Sequence, residues 1–219
     1  MFDRRFFIRA AVIGAVSLGG ASTEFVLTQR AVAQAAAPAA ALEAGTLAID
    51  RLNELGPEGQ AIGRRVGLWD MTETVWASPG AVPVTTTGLV AERRMMGSLL
   101  QEFIRPPSDT AHDAVSRTDL LPYNRVEGRW DYVSFDTRAP VGLMPAWSSV
   151  RGDGATIELT FAPFAFVGTG KEVTGQMLRM EQVIRFQDPD HDAKDQYFTM
   201  ADGTGTKWLA HRYAYVRRS

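Results

Sequence analysis

The chain has 219 residues, no cysteine, a formal net charge of −2, and 45% apolar and 22% charged residues. These values fit one ordinary domain with a sizeable core, and they exclude disulfides, thiolate metal sites and a cysteine nucleophile. The first 33 residues carry four basic and two acidic groups, so the remainder is more acidic than the whole. That excludes the clustered positive surface of a nucleic-acid binder.

Arg4-Arg5-Phe6-Phe7-Ile8-Arg9 opens the chain, residues 10–20 are apolar but interrupted by Gly14, Gly19 and Gly20, and Ala31-Val32-Ala33 follows. A positive end, an apolar middle and a small-x-small exit predict a signal peptide over residues 1–33. The paired arginines, with Phe7 and Arg9 behind them, resemble the twin-arginine export signal, although Asp3 stands where that signal often carries Ser or Thr. An ordinary Sec signal with two arginines and an uncleaved anchor are the alternatives. The resemblance implies passage through the twin-arginine translocase as a folded domain, and a periplasmic or secreted protein. A chain without cysteine loses nothing by folding in the reducing cytoplasm. After residue 33 no stretch reaches the roughly 18 consecutive apolar residues of a membrane helix.

Residues 34–57 read as an alanine-rich linker and a short helix, with Leu47, Ile49, Leu52 and Leu55 at near-helical spacing. Pro57 suits the first turn of a second helical stretch, Glu58 to Val66. From Leu68 the apolar period shortens from about 3.6 to 2. "TIELTF" (156–161) and "MLRMEQVIRF" (177–186) alternate cleanly. Similar runs occupy about 68–77, 84–95, 98–105, 117–123, 129–136, 146–151, 195–200 and 207–217, separated by Gly, Pro and Asp turns. Short connections without intervening helices predict an antiparallel up-and-down arrangement. Closure removes exposed edges, so the expectation is an all-β barrel of about ten strands over residues 58–219, behind a short N-terminal helix.

Gly67-Leu68-Trp69 opens the first strand, and the last strand, "KWLAHRYAYVRR", ends in arginines. This resembles lipocalin-like (calycin) barrels, in which a Gly-x-Trp on the first strand meets an arginine from the end of the last. The resemblance implies that a guanidinium lies over the indole, a cation–π contact; Trp69 with Arg217 is the expected structural pair. "GLWDMTETVW", "ERRMMGSLLQEF", "GRWDYVSFD" and "HRYAYVRR" also look like successive landmarks of a bacterial domain-of-unknown-function family with a lipocalin-like barrel. Here Pro122-Tyr123-Asn124 replaces that family's usual Gly-Tyr-Asp. The likeness implies an architecture and a cavity, and no reaction.

His112, His191 and His211 lie far apart and lack metal-ligand spacing; no metal site is expected. His112 falls in a polar loop. His211 sits mid-strand, six residues from Arg217, so if Arg217 turns inward His211 does too. "HRYAYVRR" is similar to the last strand of nitrobindin-like haem barrels, which implies His211 as a haem ligand; Tyr213 and Arg217 interrupt the apolar wall that haem prefers. No cofactor is expected, with haem as the lesser alternative. "DPDHDAKD" (188–195) has aspartates at calcium-loop spacing, but Ala193 and Thr199 stand where that loop needs Gly and Glu, so it reads as a solvated turn. Glu73, Glu92, Glu102, Asp131 and Asp136 lie on expected strands, and a pair in one cavity suits acid–base chemistry.

Strand parity puts Trp76, Arg94, Glu102, Tyr123, Trp130 and Tyr213 on the wall of a ligand cavity. The favoured reading is an exported barrel that binds a small apolar or amphipathic molecule. One alternative is an enzyme using the cavity: a cofactor-free isomerase or hydrolase, or a haem protein through His211. Another is an interaction module with a filled interior.

Overall fold

The structure, a computed structural model, describes residues 48–107, 114–166 and 176–219. The expected signal peptide, the start of the linker and His112 lie outside the described residues. Residues 48–53 are helical and exposed. A second helix, Gly56–Gly63, carries its proline in the first turn, where the missing N–H costs nothing. It buries Ile62 among Leu100, Leu121, Tyr123 and Trp130 and so plugs one end of the sheet. Among the described residues no helix is long and apolar enough to cross a membrane.

Eleven strands follow: β1 (Gly67–Val75), β2 (Val84–Met96), β3 (Leu99–Arg105), β4 (Arg117–Asn124), β5 (Arg129–Asp136), β6 (Leu143–Trp147), β7 (Thr156–Phe161), β8 (Phe164–Phe166), β9 (Gln176–Phe186), β10 (His191–Met200) and β11 (Lys207–Arg217). Every pairing is antiparallel, in the order β10-β11-β1-β2-β3-β4-β5-β6-β7-β9, and β9 pairs back onto β10. Ten strands therefore close an up-and-down barrel. The short β8 continues the edge of β9 beyond β7. Most strands alternate an inward buried set with an outward set, as in Arg117–Asn124 and Thr156–Phe161.

Two expected strands shift. The run at 146–151 is instead Leu143–Trp147, because Ser148 Oγ accepts the Val150 N–H and turns the chain. β10 begins at His191 rather than 195. Five of the eight residues of "DPDHDAKD" are thus strand, and Asp192 and Lys194 are buried. Their charge suggested a wet turn; inside the barrel they have partners.

At the plugged end β1 meets β11, with Trp69 opposite Arg217. The Arg217 guanidinium lies 4.3 Å from the centroid of the buried Trp69 ring, and Arg93 also lies over that ring at 4.6 Å. Arg217 donates to Val66 O at 2.7 Å, Arg64 O at 2.7 Å and Pro189 O at 3.0 Å, tying both chain approaches to the last strand. Gly67 makes room: its φ is +135°, and a Cβ there would stand 3.0 Å from the Arg217 guanidinium.

Two β-bulges sit towards the other end. Across β1 and β2, Met71 pairs with Leu89 but Glu73 pairs with Thr86, so β2 holds one extra residue around Gly88. Across β10 and β11, Gln196 pairs with His211 but Tyr197 pairs with Leu209, which makes Ala210 the extra residue. A bulge reverses which residues face inward.

Candidate functional site

Beside the apolar side chains that β5, β6, β7 and β9 send inward, part of the inner face of the barrel carries charge that a lipocalin-like cavity does not imply. A continuous column of charge runs along it. Arg65 donates to Asp192 at 3.0 Å, and Asp192 also accepts from Arg93. Arg93 Nε donates to Glu102 at 2.6 Å. Lys194 Nζ bridges Glu102 at 2.8 Å and Asp119 at 2.6 Å. Arg117 Nε donates to Asp119 at 2.9 Å, and its outer nitrogen donates to the Tyr213 hydroxyl at 2.8 Å. Buried charges survive only when paired and hydrogen-bonded, and these alternate in sign. Burial opposes the charge on Lys194, but Asp119 and Glu102 outweigh it and raise its pKa well above the ordinary value. Burial likewise works against the Asp119 and Glu102 carboxylates; Arg117 and Lys194 hold the first down, Lys194 and Arg93 the second. Around this column the space left is about 30 Å³, room for about one water.

The open volume lies nearer the mouth. A cup of about 360 Å³ has a polar floor of Glu73, Arg117, Asp136, Arg138, Gln196, His211 and Tyr213. Its wall is apolar: Val75, Val141, Met144, Phe164, Phe166, Met180 and Phe198. Beside it, a cleft of about 710 Å³ is lined by Trp76, Pro79, Met200, Trp208 and Ala210 among others, and shares Val75, Phe166, Phe198 and His211 with the cup. The Ala210 bulge makes this possible, because it turns Trp208 and Ala210, rather than Leu209, to the cleft.

His211 stands at the junction. Its Nδ1 is 3.2 Å from Glu73 Oε1 and 3.4 Å from the Tyr213 hydroxyl. Its ring stacks on Tyr213 at 5.9 Å and 8°, and Phe198 packs at 5.4 Å. Glu73 also accepts from Arg138 at 2.7 Å, and Arg138 grips Asp136 through Nε at 3.0 Å and a terminal nitrogen at 2.8 Å. Burial pushes the Glu73 carboxyl up, but the hydrogen bonds from His211 and Arg138 and their charge win, and its pKa falls to about 2. Burial raises the Tyr213 hydroxyl beyond its ordinary value, so it stays neutral.

The expected wall residues do not share one wall. Tyr123 and Trp130 pack edge to face at 5.0 Å at the plugged end, under Ile62. Glu102 is buried in the charged column. Tyr213 belongs to the floor of the cup and Trp76 to the cleft. Arg94 is a correction: it is exposed, bonds Gln101 at 3.1 Å and covers Phe103 from outside. Arg93, its neighbour, is the inward one, because Glu102 and Asp192 await it there. Of the candidate carboxylates, Glu73 and Asp136 do share the cup. Sequence reasoning missed Arg117, Arg138, Gln196 and Phe198; the alternation of "RTDLLPYN" was the available signal for Arg117, and nothing local marked Arg138. Among the described residues no group of three or more His, Asp or Glu side chains is placed to hold a metal ion.

No family model matches the chain, and no curated protein does. Solved structures do. The crystal structure of Rv2717c from M. tuberculosis is similar over 76% of this chain and 100% of that one, with 17% identity and a TM-score of 0.48. No residue role follows from that likeness.

Proposed function

We propose that this chain is an exported barrel protein that binds one small amphipathic molecule at its mouth. The observation that carries this reading is the cup of about 360 Å³, with a hydrogen-bonding floor and an apolar wall. Its volume lies in the range of small-molecule sites, which are mostly apolar with a few placed polar groups. The charged column blocks deeper entry, so a polar end of the ligand meets Glu73, Arg138 and His211 while its apolar part lies on Phe164, Phe166 and Phe198. A neutral fluorescent probe, 1-aminoanthracene, tests this. Saturable one-to-one binding is expected in the unaltered protein. It should disappear in Ala139→Trp, which fills the cup from its lining. No saturable binding, or equal binding by that variant, overturns the reading. Export rests on the Arg4-Arg5 motif; replacing both arginines by lysine should leave the protein in the cytoplasm.

A haem reading has one specific observation in favour. His211 Nδ1 sits on a carboxylate, the arrangement that orients a metal-binding imidazole, and the adjoining cleft carries flat apolar side chains, Trp76, Phe198 and Trp208. Haem would supply an iron with an open coordination position. Titration with haemin decides: a sharp Soret band that is lost in His211→Ala supports this reading, and a spectrum of free haemin rejects it.

A further inference from the structure

Beside the cup, the cleft of about 710 Å³ has a chemistry of its own. Four aromatic side chains line it: Trp76, Phe166, Phe198 and Trp208. Both indoles are anchored at one seam. The Trp76 backbone N–H donates to Ala210 O at 2.8 Å, and the Trp208 indole N–H donates to Trp76 O at 3.1 Å. That bond uses the only donor of the Trp208 ring, so the ring offers a ligand its π face rather than a hydrogen bond. The walls do not form a flat slot. Phe198 meets Trp208 at 76° with centroids 5.8 Å apart, and Phe166 meets Phe198 at 60° and 6.3 Å. Rings so inclined make a concave corner, which suits a compact rounded group better than a planar one.

The fixed charge in the cleft has one sign. Among the described residues Asp202 lines it, and no lysine or arginine does. Asp202 Oδ1 accepts the Thr204 N–H at 2.9 Å and the Thr204 hydroxyl at 2.8 Å, bonds that hold its carboxyl below the usual value. Among the described residues none donates to its other oxygen, Oδ2. Lys207, next in the chain to the lining residue Thr206, pairs with Glu181 instead. His211, on the border with the cup, stands 3.2 Å from the ionised Glu73, so in either protonation state that pair adds no net positive charge.

We propose that the cleft is a second binding site, separate from the cup, and that it takes an organic cation of the quaternary ammonium class, its methyl groups among Trp76, Phe198 and Trp208 and its charge towards Asp202. The faces of aromatic rings are electron-rich and attract such a cation. A quaternary ammonium has no N–H, so it needs no acceptor from walls that are largely apolar. An anion would meet no counter-charge among the described lining residues. A neutral group of the same shape would gain the apolar contact and neither the π faces nor the carboxylate.

Three probes of similar shape test this: phenyltrimethylammonium, its neutral isostere tert-butylbenzene, and the anion 4-tert-butylbenzoate. Their affinities are read from NMR shifts of the tryptophan indole N–H groups. The unaltered protein should bind phenyltrimethylammonium about tenfold more tightly than tert-butylbenzene and bind the benzoate most weakly, with the largest shifts at Trp76 and Trp208. Asp202→Asn keeps an oxygen for Thr204 and should lower affinity for the cation about threefold, leaving tert-butylbenzene unchanged. Trp76→Leu should lower affinity for the cation more than for its isostere. Ala139→Trp, which fills the cup and does not line the cleft, should keep cation binding while losing 1-aminoanthracene. Equal binding of cation and isostere, tightest binding of the benzoate, or no effect of Asp202→Asn overturns the inference. Loss of the cation in Ala139→Trp would put its site in the cup and overturns it too. If none of the three binds while 1-aminoanthracene does, the inference falls and the cup reading stands.

Discussion

At Glu73, burial and pairing pull in opposite directions, and the outcome sets how the protein answers acid. Its carboxyl falls from an ordinary 4.5 to about 2 because His211 and Arg138 outweigh desolvation. A folded-state pKa below the unfolded one means that the unfolded chain binds more protons in that window. The stabilisation is therefore complete above about pH 4.5 and drains as pH falls towards 2. Glu73→Gln removes that titration. Its unfolding free energy, measured by urea at a series of pH values, should lie below that of the unaltered protein at neutral pH. The gap should close between about pH 4.5 and 2; a gap independent of pH would assign Glu73 no part in acid response.

At the scale of single elements, the two bulges explain both what alternation revealed and what it concealed. Period-two patterning located most of the strands, because "TIELTF" or "GRWDYVSFD" puts apolar and polar side chains on opposite faces. It failed where the inner face is itself charged. In "AERRMM" either arginine fits either face by hydrophobicity, and only the distant partners Glu102 and Asp192 select Arg93 over Arg94. The same cause hid the start of β10: "DHDAKD" is polar throughout, yet Asp192 and Lys194 point inward to partners 75 or more residues away in the chain. A local pattern carries no information about such a partner. Nor does it announce a bulge. Strict alternation would put Leu209 on the face of His211, but the extra residue Ala210 separates them and brings Trp208 to the cleft. In β2 the bulge depends on Gly88, whose φ is +77°. A Cβ there would meet Pro107 only at 3.6 Å, so the cost of Gly88→Ala is conformational, about 1–2 kcal/mol. Because Thr86 beyond the bulge lines the cup, that variant should also weaken probe binding. Equal stability and equal binding would show that β2 keeps its register without glycine.

Over the whole molecule, fastening and binding are assigned to opposite ends. The Trp69–Arg217 contact and the three carbonyls held by Arg217 lie where β1 begins and β11 ends; the cup lies where β1 ends and β2 begins. Arg217→Ala removes charge-assisted hydrogen bonds and the cation–π contact, so unfolding in urea should show a loss of about 2–3 kcal/mol. Affinity for 1-aminoanthracene should stay within a factor of about two, a small fraction of the tenfold worth of one good contact. A loss of affinity without a loss of stability would mean that the closed end shapes the cup. The Trp69–Arg217 pair was legible through the resemblance of the Gly-x-Trp and the terminal arginines to lipocalin-like barrels. The depth of the cavity was not, since it depends on which strands send charges to the same level.

The charged column also acts as a key for strand alignment. Apart from Arg65, its members come from β2, β3, β4 and β10; Arg93, Glu102, Asp119, Asp192 and Lys194 each meet an opposite charge on another strand, while Arg117 pairs with Asp119 on its own strand. Were any one of these strands to slide by a single residue, its ionised side chain would swing to solvent and strand its counterion in a dry interior. A slip of two residues keeps the faces; an apolar lumen tolerates that better, because one aliphatic group replaces another, whereas here each charge would lose its partner. The lumen thus gives up guest volume and gains a barrel that can zip together in only one alignment.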